Sequence, residues 1–290
     1  MIFDKDLPQT NSPSSKRRPL QVRIAVMAVV ICAVSLGAVP RFTAPAVPAG
    51  ASGAYVIYPV GTVDISDPSG QAPPGPSALR GYRLFYQNDF NGTSLSPGWY
   101  VFSGVPGGDP GGQFDAAHVV VGGGLLLLNT WKDSKYQNRW VTGGLCQCGL
   151  SHTYGAYFVR SRVTGTGPNA AELLWPVGKI WPPEIDFNEN GGRIAHTTSS
   201  VHFGSTNHID NLKLKINMMQ WHTWGVIWTP TSVTYVVDGR VWGEVSAPLE
   251  IPRRPMTLDF EQRTLCSLGK ECPSVPVAMQ VDWVAEYTAK

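Results

Sequence analysis

Residues 229–245 read TPTSVTYVVDGRVWGEV, and this stretch predicts a β-hairpin. Apolar and polar residues alternate on both sides of Asp238-Gly239, a pair that favours the tight turn between antiparallel strands. Similar short runs, separated by turn residues, recur from residue 79 to the end of the chain. They include YRLFYQNDF, HVVVGGGLLLLNT, AYFVRSRV, EIDFNE, HTTSSVHFG, PMTLDFEQ and VAMQVDWVAEY. No long segment has a helical period, so the chain is predicted to be an all-β, antiparallel β-sandwich of the jelly-roll type.

Composition agrees with a folded β-rich chain and argues against a nucleic-acid partner. The chain is 43% apolar and 15% charged, with 31 Gly, 24 Pro and ten each of Trp, Tyr and Phe. Residues 1–41 hold six basic and two acidic residues, which leaves a net charge of −2 for the remainder. A near-neutral body without a basic stripe gives no electrostatic reason to bind nucleic acid. We expect a monomer.

The N-terminal region is typical of an export signal. SKRRPLQVR precedes the uncharged run IAVMAVVICAVSLGAV at residues 24–39, a positive segment followed by an apolar one. Residues 1–40 are therefore predicted to be a signal peptide or an uncleaved membrane anchor, residues 41–79 a Pro/Gly/Ala-rich linker, and residues 80–290 the functional domain. The domain is expected to be secreted or attached to the cell envelope, with membrane contact only through the N-terminal segment.

The cysteines also favour export to an oxidising compartment. Four of the five lie in the predicted domain, and an even number is typical of disulfides there. Cys266 and Cys272 enclose a short loop and are the preferred pair, whereas Cys146 and Cys148 can join only in a tight ring. A metal-binding site formed by Cys146, Cys148 and His152 is the alternative. It is disfavoured because structural zinc sites usually have two paired ligand clusters.

The stretch WPPEIDFNENGG at residues 181–192 places three acids within one predicted strand. Residues two apart share a face of a strand, so Glu184 and Asp186 point outward while the apolar residues that alternate with them point to the core. Glu189 is five residues from Glu184 and would face inward in a regular strand. A β-bulge around Asn188 would add one residue and return Glu189 to the face of the other two.

Three clustered carboxylates are costly unless they do chemistry, because each raises the pKa of its neighbours. A glycosidase needs such a set, with one carboxylate as nucleophile and one carboxylic acid as proton donor. Acids that only decorate a solvated strand face are the alternative interpretation, since charge clusters also arise for structural reasons.

Several motifs together carry a resemblance to a known family. EIDFNE resembles the bulged Glu-x-Asp-x-x-Glu signature of laminarinase-like members of glycoside hydrolase family 16. LFYQNDFNGTSL, GGLCQCGLSHTYGAYFVRSRV, LLWP, VHFG, WHTWGVIWTPTSVTYVVDGR and VDWVAEY resemble its other segments, in the family's order, over residues 81–287. The resemblance implies a concanavalin-like sandwich with a concave substrate cleft. It also implies Glu184 as nucleophile, Asp186 as the neighbour that orients it, and Glu189 as the acid and then the base of retaining hydrolysis.

Strand parity and the resemblance nominate four further substrate-binding residues. His202, in SVHFG, should share the face of the acids, as should Glu261 in LDFEQ. Trp175 and Trp181 flank the signature, where aromatic faces could stack on sugar rings. A lone histidine or a solvated rim acid is the structural alternative for the first two residues.

Two further features concern metal binding and substrate specificity. Some family members bind structural calcium through their first and last strands, where this chain has Asp89 and Asp282, although no cofactor is expected to be required. Asn169 and Leu173 replace tryptophans that many laminarinase-like members carry before the signature, which leaves β-1,3-glucan specificity open.

The sequence thus predicts an endo-acting retaining hydrolase of a β-linked polysaccharide, with β-1,3-glucan or mixed-linkage glucan as the favoured substrate. The alternatives are a transglycosylase with the same site and a carbohydrate-binding sandwich without catalysis. The glycine runs GGDPGGQ and VGGGLL lack the strand-to-helix context of a phosphate-binding loop, so no nucleotide, phosphate or flavin site is indicated.

Overall fold

The computed structural model describes residues 58–178 and 180–290 of the chain. These residues form β-strands joined by turns, with three single-turn 3-10 helices at Ala116–His118, Ser134–Tyr136 and Cys266–Leu268. The first nine strands are β1 (Thr62–Val63), β2 (Gln71–Ala72), β3 (Tyr82–Asn88), β4 (Tyr100–Val101), β5 (Val119–Gly122), β6 (Leu125–Asp133), β7 (Arg139–Thr142), β8 (Gly144–Cys146) and β9 (Gly155–Val163). The others are β10 (Asn169–Pro176), β11 (Glu184–Glu189), β12 (His196–Phe203), β13 (His208–Lys215), β14 (His222–Trp228), β15 (Val233–Val237), β16 (Arg240–Val245), β17 (Met256–Arg263) and β18 (Val277–Ala289).

The strands form two large antiparallel sheets and one small one. The seven-stranded sheet has the order β13-β12-β11-β10-β17-β8-β4. The nine-stranded sheet has the order β16-β15-β14-β9-β18-β6-β5, with β3 paired to β18 and β7 to β6. Strands β1 and β2 pair only with each other. The predicted all-β, antiparallel sandwich is therefore confirmed.

The main core lies between the two large sheets. Strand alternation places Ile185 of β11 and Phe260 of β17 on the inner face of one sheet, and both side chains are fully buried. Trp224 and Trp228 of β14 fill the same core from the other sheet. Burying a large apolar side chain contributes roughly 1.5–3 kcal/mol, so this layer of aromatic and aliphatic side chains holds the seven-stranded sheet in place.

The predicted hairpin forms β15 and β16. Asp238 and Gly239 have φ values of 47° and 78°, the positive values that the tight turn requires. The turn is also tied to the neighbouring strand, because the backbone N–H of Thr223 donates to Asp238 Oδ1 at 2.9 Å.

The segment from residue 58 to residue 79 belongs to the folded unit, so this part of the predicted linker of residues 41–79 is wrong and the folded unit begins before the predicted start at residue 80. Residues 41–57 lie outside the described residues. The outer face of the nine-stranded sheet carries a second apolar cluster that includes Phe158, Trp283 and Tyr287, and buried Leu79 packs into it. Trp283 Nε1 donates to the carbonyl of Gln71 at 2.8 Å. Aromatic residues on this outer face need a cover, and this segment supplies it.

The predicted signal or anchor at residues 1–40 lies outside the described residues. Within the ranges that the structure describes, no helix is long and apolar enough to cross a membrane.

Both cysteine pairs are disulfides. Cys266 joins Cys272, as preferred from the sequence, and Cys146 joins Cys148 across a single intervening residue. The alternative metal-binding site is therefore wrong, because both of its sulfur ligands are consumed by the disulfide. Nearby His152 instead places its Nδ1 2.6 Å from the carbonyl oxygen of Tyr154.

Candidate active site

A one-residue bulge in β11 brings the three acids of the signature to one face. On the β12 side, Asp186 is opposite Ser200 while Glu189 is opposite Thr198, so three steps on β11 match two on β12. The bulge predicted around Asn188 is therefore present. It places Glu184, Asp186 and Glu189 together on the outer face of the seven-stranded sheet, which we call the acid-bearing face.

Polar groups beneath the bulge hold it in place. Asn188 is turned into the sandwich, where Thr197 Oγ1 donates to its Oδ1 at 2.6 Å. Glu172, opposite Asn188 on β10, is fully buried and accepts a hydrogen bond from Ser161. Burial raises the pKa of Glu172 to about 8, so this carboxyl group is neutral at pH 7 and needs no counter-ion in the core.

Glu184 lies at the start of β11, next to the aromatic side chains of Trp181 and Trp175. Its side chain is buried, and Trp181 Nε1 donates to Glu184 Oε2 at 2.7 Å. Trp181 also stacks on Trp175, with ring centroids 6.2 Å apart and an interplanar angle of 14°. The two predicted aromatic residues therefore stand beside Glu184, and 38% of the Trp181 surface stays exposed.

Glu189 has a different set of neighbours at the other end of β11. Asn169 Nδ2 donates to Glu189 Oε1 at 2.7 Å, and Arg263 Nη2 lies 3.6 Å from the same oxygen. Asn169 is opposite Arg263 in the pairing of β10 with β17, so the two strands together build this end of the site.

Asp186 occupies the middle position and pairs with His202. His202 Nε2 lies 3.2 Å from Asp186 Oδ2, and its Nδ1 lies 2.8 Å from Asn207 Oδ1. Burial lowers the pKa of His202, but the hydrogen bond and charge of Asp186, together with Asn207 and Glu189, outweigh it, and the net shift is upward. A protonated His202 would hold the Asp186 carboxylate in a fixed orientation.

Two more carboxyl groups reach the acid-bearing face from β17. Glu261 Oε2 is 3.2 Å from Arg263 Nε, and Ala171 lies between Glu261 and Glu189 in the cross-strand pairing. Asp259 is buried and accepts a hydrogen bond from Thr257 Oγ1 at 2.6 Å. Burial raises the pKa of Asp259 well above its usual value, which favours its uncharged form in the floor of the site.

Burial is also the largest influence on the two glutamates of the signature. It raises the pKa of both Glu184 and Glu189, and the neighbouring Asp186 raises both further. The opposing contacts differ, because the Trp181 indole stabilises ionised Glu184 while Asn169 and Arg263 stabilise ionised Glu189. Groups this close titrate as a set. Their protonation is therefore coupled, and acid–base chemistry needs one group of such a set as the acid and another as the base.

The comparison with protein families identifies the group to which this site belongs. The model of glycosyl hydrolases family 16 matches residues 118–264, which is half of the chain and includes all three acids of β11. The chain belongs to glycosyl hydrolase family 16. It is thus a member of a glycosidase family, as the signature and its flanking motifs indicated.

Individual relatives of this family 16 chain are distant. Glucan endo-1,3-beta-glucosidase A1 of Niallia circulans is 25% identical over 269 residues, which cover 74% of this chain and 39% of that protein. The chain thus spans about two fifths of the length of this relative.

Solved structures share the fold of the family 16 chain. SCLam, described as a non-specific endo-beta-1,3(4)-glucanase, has a TM-score of 0.64 and 20% identity, covering 74% of this chain and 95% of that one. A structure described with endo-acting O-glycanases that human gut bacteria use to initiate mucin breakdown has a TM-score of 0.65 and 19% identity, covering 75% of this chain and 94% of that one. At these identities the likeness shows the fold alone.

Asn169 and Arg263 are contacts of Glu189 that sequence reasoning did not nominate. In the sequence, Asn169 stands out only as a departure from the family pattern, yet its buried amide contacts Glu189 directly. Arg263 could have been predicted to share the face of Glu261, because it lies two residues after it in the same strand.

The calcium candidates do not form a recognisable metal site. Within residues 58–178 and 180–290, no group of three or more His, Cys, Asp or Glu side chains is arranged to hold a metal ion. Asp89 Oδ2 accepts a hydrogen bond from Asn91 at 2.8 Å, and Asp282 Oδ2 accepts one from the backbone N–H of Ser69 at 3.2 Å. Burial raises the pKa of Asp282 to about 6. Structural calcium remains a prediction, and no step below involves it.

Proposed function

We propose that this chain is an endo-acting, retaining β-glucanase that cleaves β-1,3-glucan or mixed-linkage β-1,3-1,4-glucan. The observation that carries the proposal is the bulge in β11, which puts Glu184, Asp186 and Glu189 on one face. The buried contacts of each acid support the proposal, as do family membership and the glucanases among the chain's relatives.

In the first step, Glu189 donates its proton to the glycosidic oxygen while the Glu184 carboxylate attacks the anomeric carbon. The bond between that carbon and the leaving sugar breaks, and an ester to Glu184 forms. In the second step, Glu189 removes a proton from water, which attacks the same carbon and releases Glu184. The anomeric configuration is inverted twice and so retained.

Neighbouring residues act on the nucleophile and on the substrate. Burial and Asp186 raise the pKa of Glu184, and the hydrogen bond from the Trp181 indole opposes this shift and so favours the ionised form that a nucleophile needs. Asp186, held by His202, orients Glu184 and keeps negative charge near the anomeric carbon, where positive charge develops in the transition state. Trp175 and Trp181 are proposed to stack on sugar rings, and Glu261 to contact sugar hydroxyls.

The test is a product screen with the full-length chain and its Glu184→Gln variant. Laminarin, mixed-linkage glucan, xyloglucan and galactan would be digested, and the products sized by mass spectrometry. We expect a ladder of oligosaccharides from a β-1,3-containing glucan, absent with the variant, and a β-configured first product by proton NMR. An α-configured first product would refute retention, and only monosaccharides would refute endo-cleavage. Products longer than an added oligosaccharide acceptor of known length would indicate transglycosylation.

Substitutions of Arg263 and Glu261 are expected to shift the pH profile of kcat/KM in opposite directions. The Arg263 charge lowers the pKa of Glu189, and Glu261 raises it. Glu189 must be protonated to act as the acid, so activity falls as pH rises through its pKa. Arg263→Met should therefore move the alkaline limb of kcat/KM to higher pH, and Glu261→Gln should move it to lower pH.

Arg263→Lys keeps the positive charge and is the matched control. The alkaline limb of its kcat/KM profile should lie near that of the parent. Two variants that move the limb in the same direction would contradict the electrostatic account, because a merely structural effect has no reason to reverse its sign.

A further inference from the structure

The middle and the flank of the acid-bearing face carry different kinds of ionisable group. Its middle carries the five carboxyl groups of β11 and β17 and the cation Arg263. Its far flank carries exposed Lys213 and Lys215 on β13 and exposed Arg193 in the turn before β12. We call these three residues the basic flank. The flank is conspicuous because residues 42–290 have a net charge of −2.

Strand register places the two lysines of the basic flank on the same face as the acids. Glu189 is opposite Thr198 on β12, and Thr198 is opposite Lys213 on β13. Two strand spacings separate Lys213 from Glu189, which is about 10 Å between backbones. Lys215 is opposite His196, next in the same direction along the strand.

The basic flank is a concentrated positive charge without internal partners. No carboxylate of the described residues lies within 4 Å of the charged atoms of Lys213, Lys215 or Arg193, whereas Lys135 and Arg263 both have such partners. Burial lowers the pKa of His196, and the charges of Lys213 and Arg193 lower it further. Arg193 precedes a segment that stays paired with the chain after β13, because the N–H of Ile216 donates to the carbonyl of Ala195 at 3.2 Å and that of Met218 donates to the carbonyl of Ile194 at 2.9 Å.

Lysines on an edge strand have a second explanation, since they discourage pairing with other chains. That explanation covers β13, which is the edge of the seven-stranded sheet. It does not account for Arg193, which lies in the turn between β11 and β12 on the inner side of that edge. The convergence of a loop arginine with two strand lysines fits a ligand better than edge protection alone.

We propose that the basic flank binds an anionic substituent, a carboxylate or a sulfate, on the polysaccharide that the acids cleave. The proposal deepens the proposed function and depends on it for the identity of the polymer. Lysine ammonium and arginine guanidinium groups form charge-assisted hydrogen bonds with both anions. The carboxyl groups in the middle of the face disfavour such a substituent at the scissile bond. The preferred polymer therefore carries uncharged sugars at that bond and a charged group about two strand spacings away.

The test compares laminarin with its carboxymethylated and its sulfated derivatives at low ionic strength. The proteins are the full-length chain, the Lys213→Ser/Lys215→Ser variant and a Lys132→Ser/Lys290→Ser control. The control removes the same charge from two exposed lysines off the acid-bearing face. The readout is the ratio of kcat/KM on each anionic derivative to kcat/KM on laminarin. The two derivatives distinguish carboxylate from sulfate recognition.

We expect the first variant to lower this ratio about tenfold, since each exposed ion pair contributes a factor of a few, and the control to leave it within about twofold of the parent. Added salt should remove the difference by screening. Equal ratios in the variant and the control, with both derivatives, would overturn the proposal.

Failure of the proposed function would look different, because the parent chain would then degrade neither the three laminarin-based polymers nor mixed-linkage glucan. In that case the same proteins are run in native gels that contain each polymer. Retardation by an anionic derivative that only the Lys213→Ser/Lys215→Ser variant loses would support the basic flank. Equal retardation of all three proteins, each measured against its own mobility in a polymer-free gel, would overturn it.

Discussion

Glu184→Ala is expected to lower hydrolysis of the preferred glucan by on the order of 10⁴-fold or more, the scale seen when a nucleophile is removed from a preorganised site. The remaining groups can still bind and protonate the substrate, but no carboxylate is left to form the ester. Added azide should restore turnover, because it fits the space left by the side chain. It attacks from the nucleophile's side in one displacement, so the product should be the α-glycosyl azide.

Glu184→Gln is the matched control for azide rescue. Glutamine keeps the volume of the side chain and an acceptor for the Trp181 indole, so it should be inactive and resist rescue. Loss of activity in Glu184→Ala without any azide product, or with a β-configured one, would remove Glu184 from the role of nucleophile.

The same substitutions should leave the fold intact. Burial raises the pKa of Glu184 in the folded chain, so its ionisation opposes folding once the pH exceeds the unfolded pKa. The penalty grows until the pH passes the folded pKa. Removing the carboxyl group removes this penalty. The Tm of Glu184→Gln at neutral pH should therefore equal or exceed that of the parent, and inactivity cannot be attributed to unfolding.

The position of the three acids could be read from the sequence because it depends only on local geometry. Alternation fixes the faces of Glu184 and Asp186, and one inserted residue is the simplest way to bring Glu189 to the same face. The Asp238-Gly239 turn is local in the same sense. Such features need no knowledge of which strands are neighbours.

The contacts of Glu189 depend on strand order, which alternation does not give. Asn169 and Arg263 are far apart in the chain, and they meet because β10 pairs with β17. Parity could place Arg263 on the right face of its strand. It could not show that this strand lies two positions from β11.

The segment from residue 58 to residue 79 escaped the sequence prediction for a different reason. It is held largely through its backbone carbonyls, which accept hydrogen bonds from buried side chains of the sandwich. Tyr287 Oη donates to the carbonyl of Pro74 at 3.2 Å, and Thr223 Oγ1 donates to that of Val60 at 2.9 Å. Carbonyl acceptors are available in any residue, proline and glycine included, so such packing leaves no periodic pattern in the sequence.

Glu189→Ala is expected to lower activity on the polymer by roughly 10²- to 10⁴-fold, the usual range for a general acid–base group. The loss should depend on the leaving group. In an aryl glycoside with an acidic phenol, the phenolate leaves without being protonated. Formation of the glycosyl ester from such a substrate should therefore be little affected. Hydrolysis of the ester should then become the slow step, because no base activates water, and a burst of phenol should precede slow turnover.

The anomer of the azide product distinguishes the roles of the two glutamates more clearly than the loss of rate does. In Glu189→Ala the ester to Glu184 still forms, and azide needs no base to attack it. The second displacement restores the original configuration, so the product should be the β-glycosyl azide, the opposite anomer from that of Glu184→Ala. Glu261→Gln, which removes a carboxyl group from the neighbouring strand of the same face, should show neither the burst nor an azide product. An equal loss of activity on polymer and aryl glycoside, or an α-azide from Glu189→Ala, would mean that proton transfer belongs to another residue of the face.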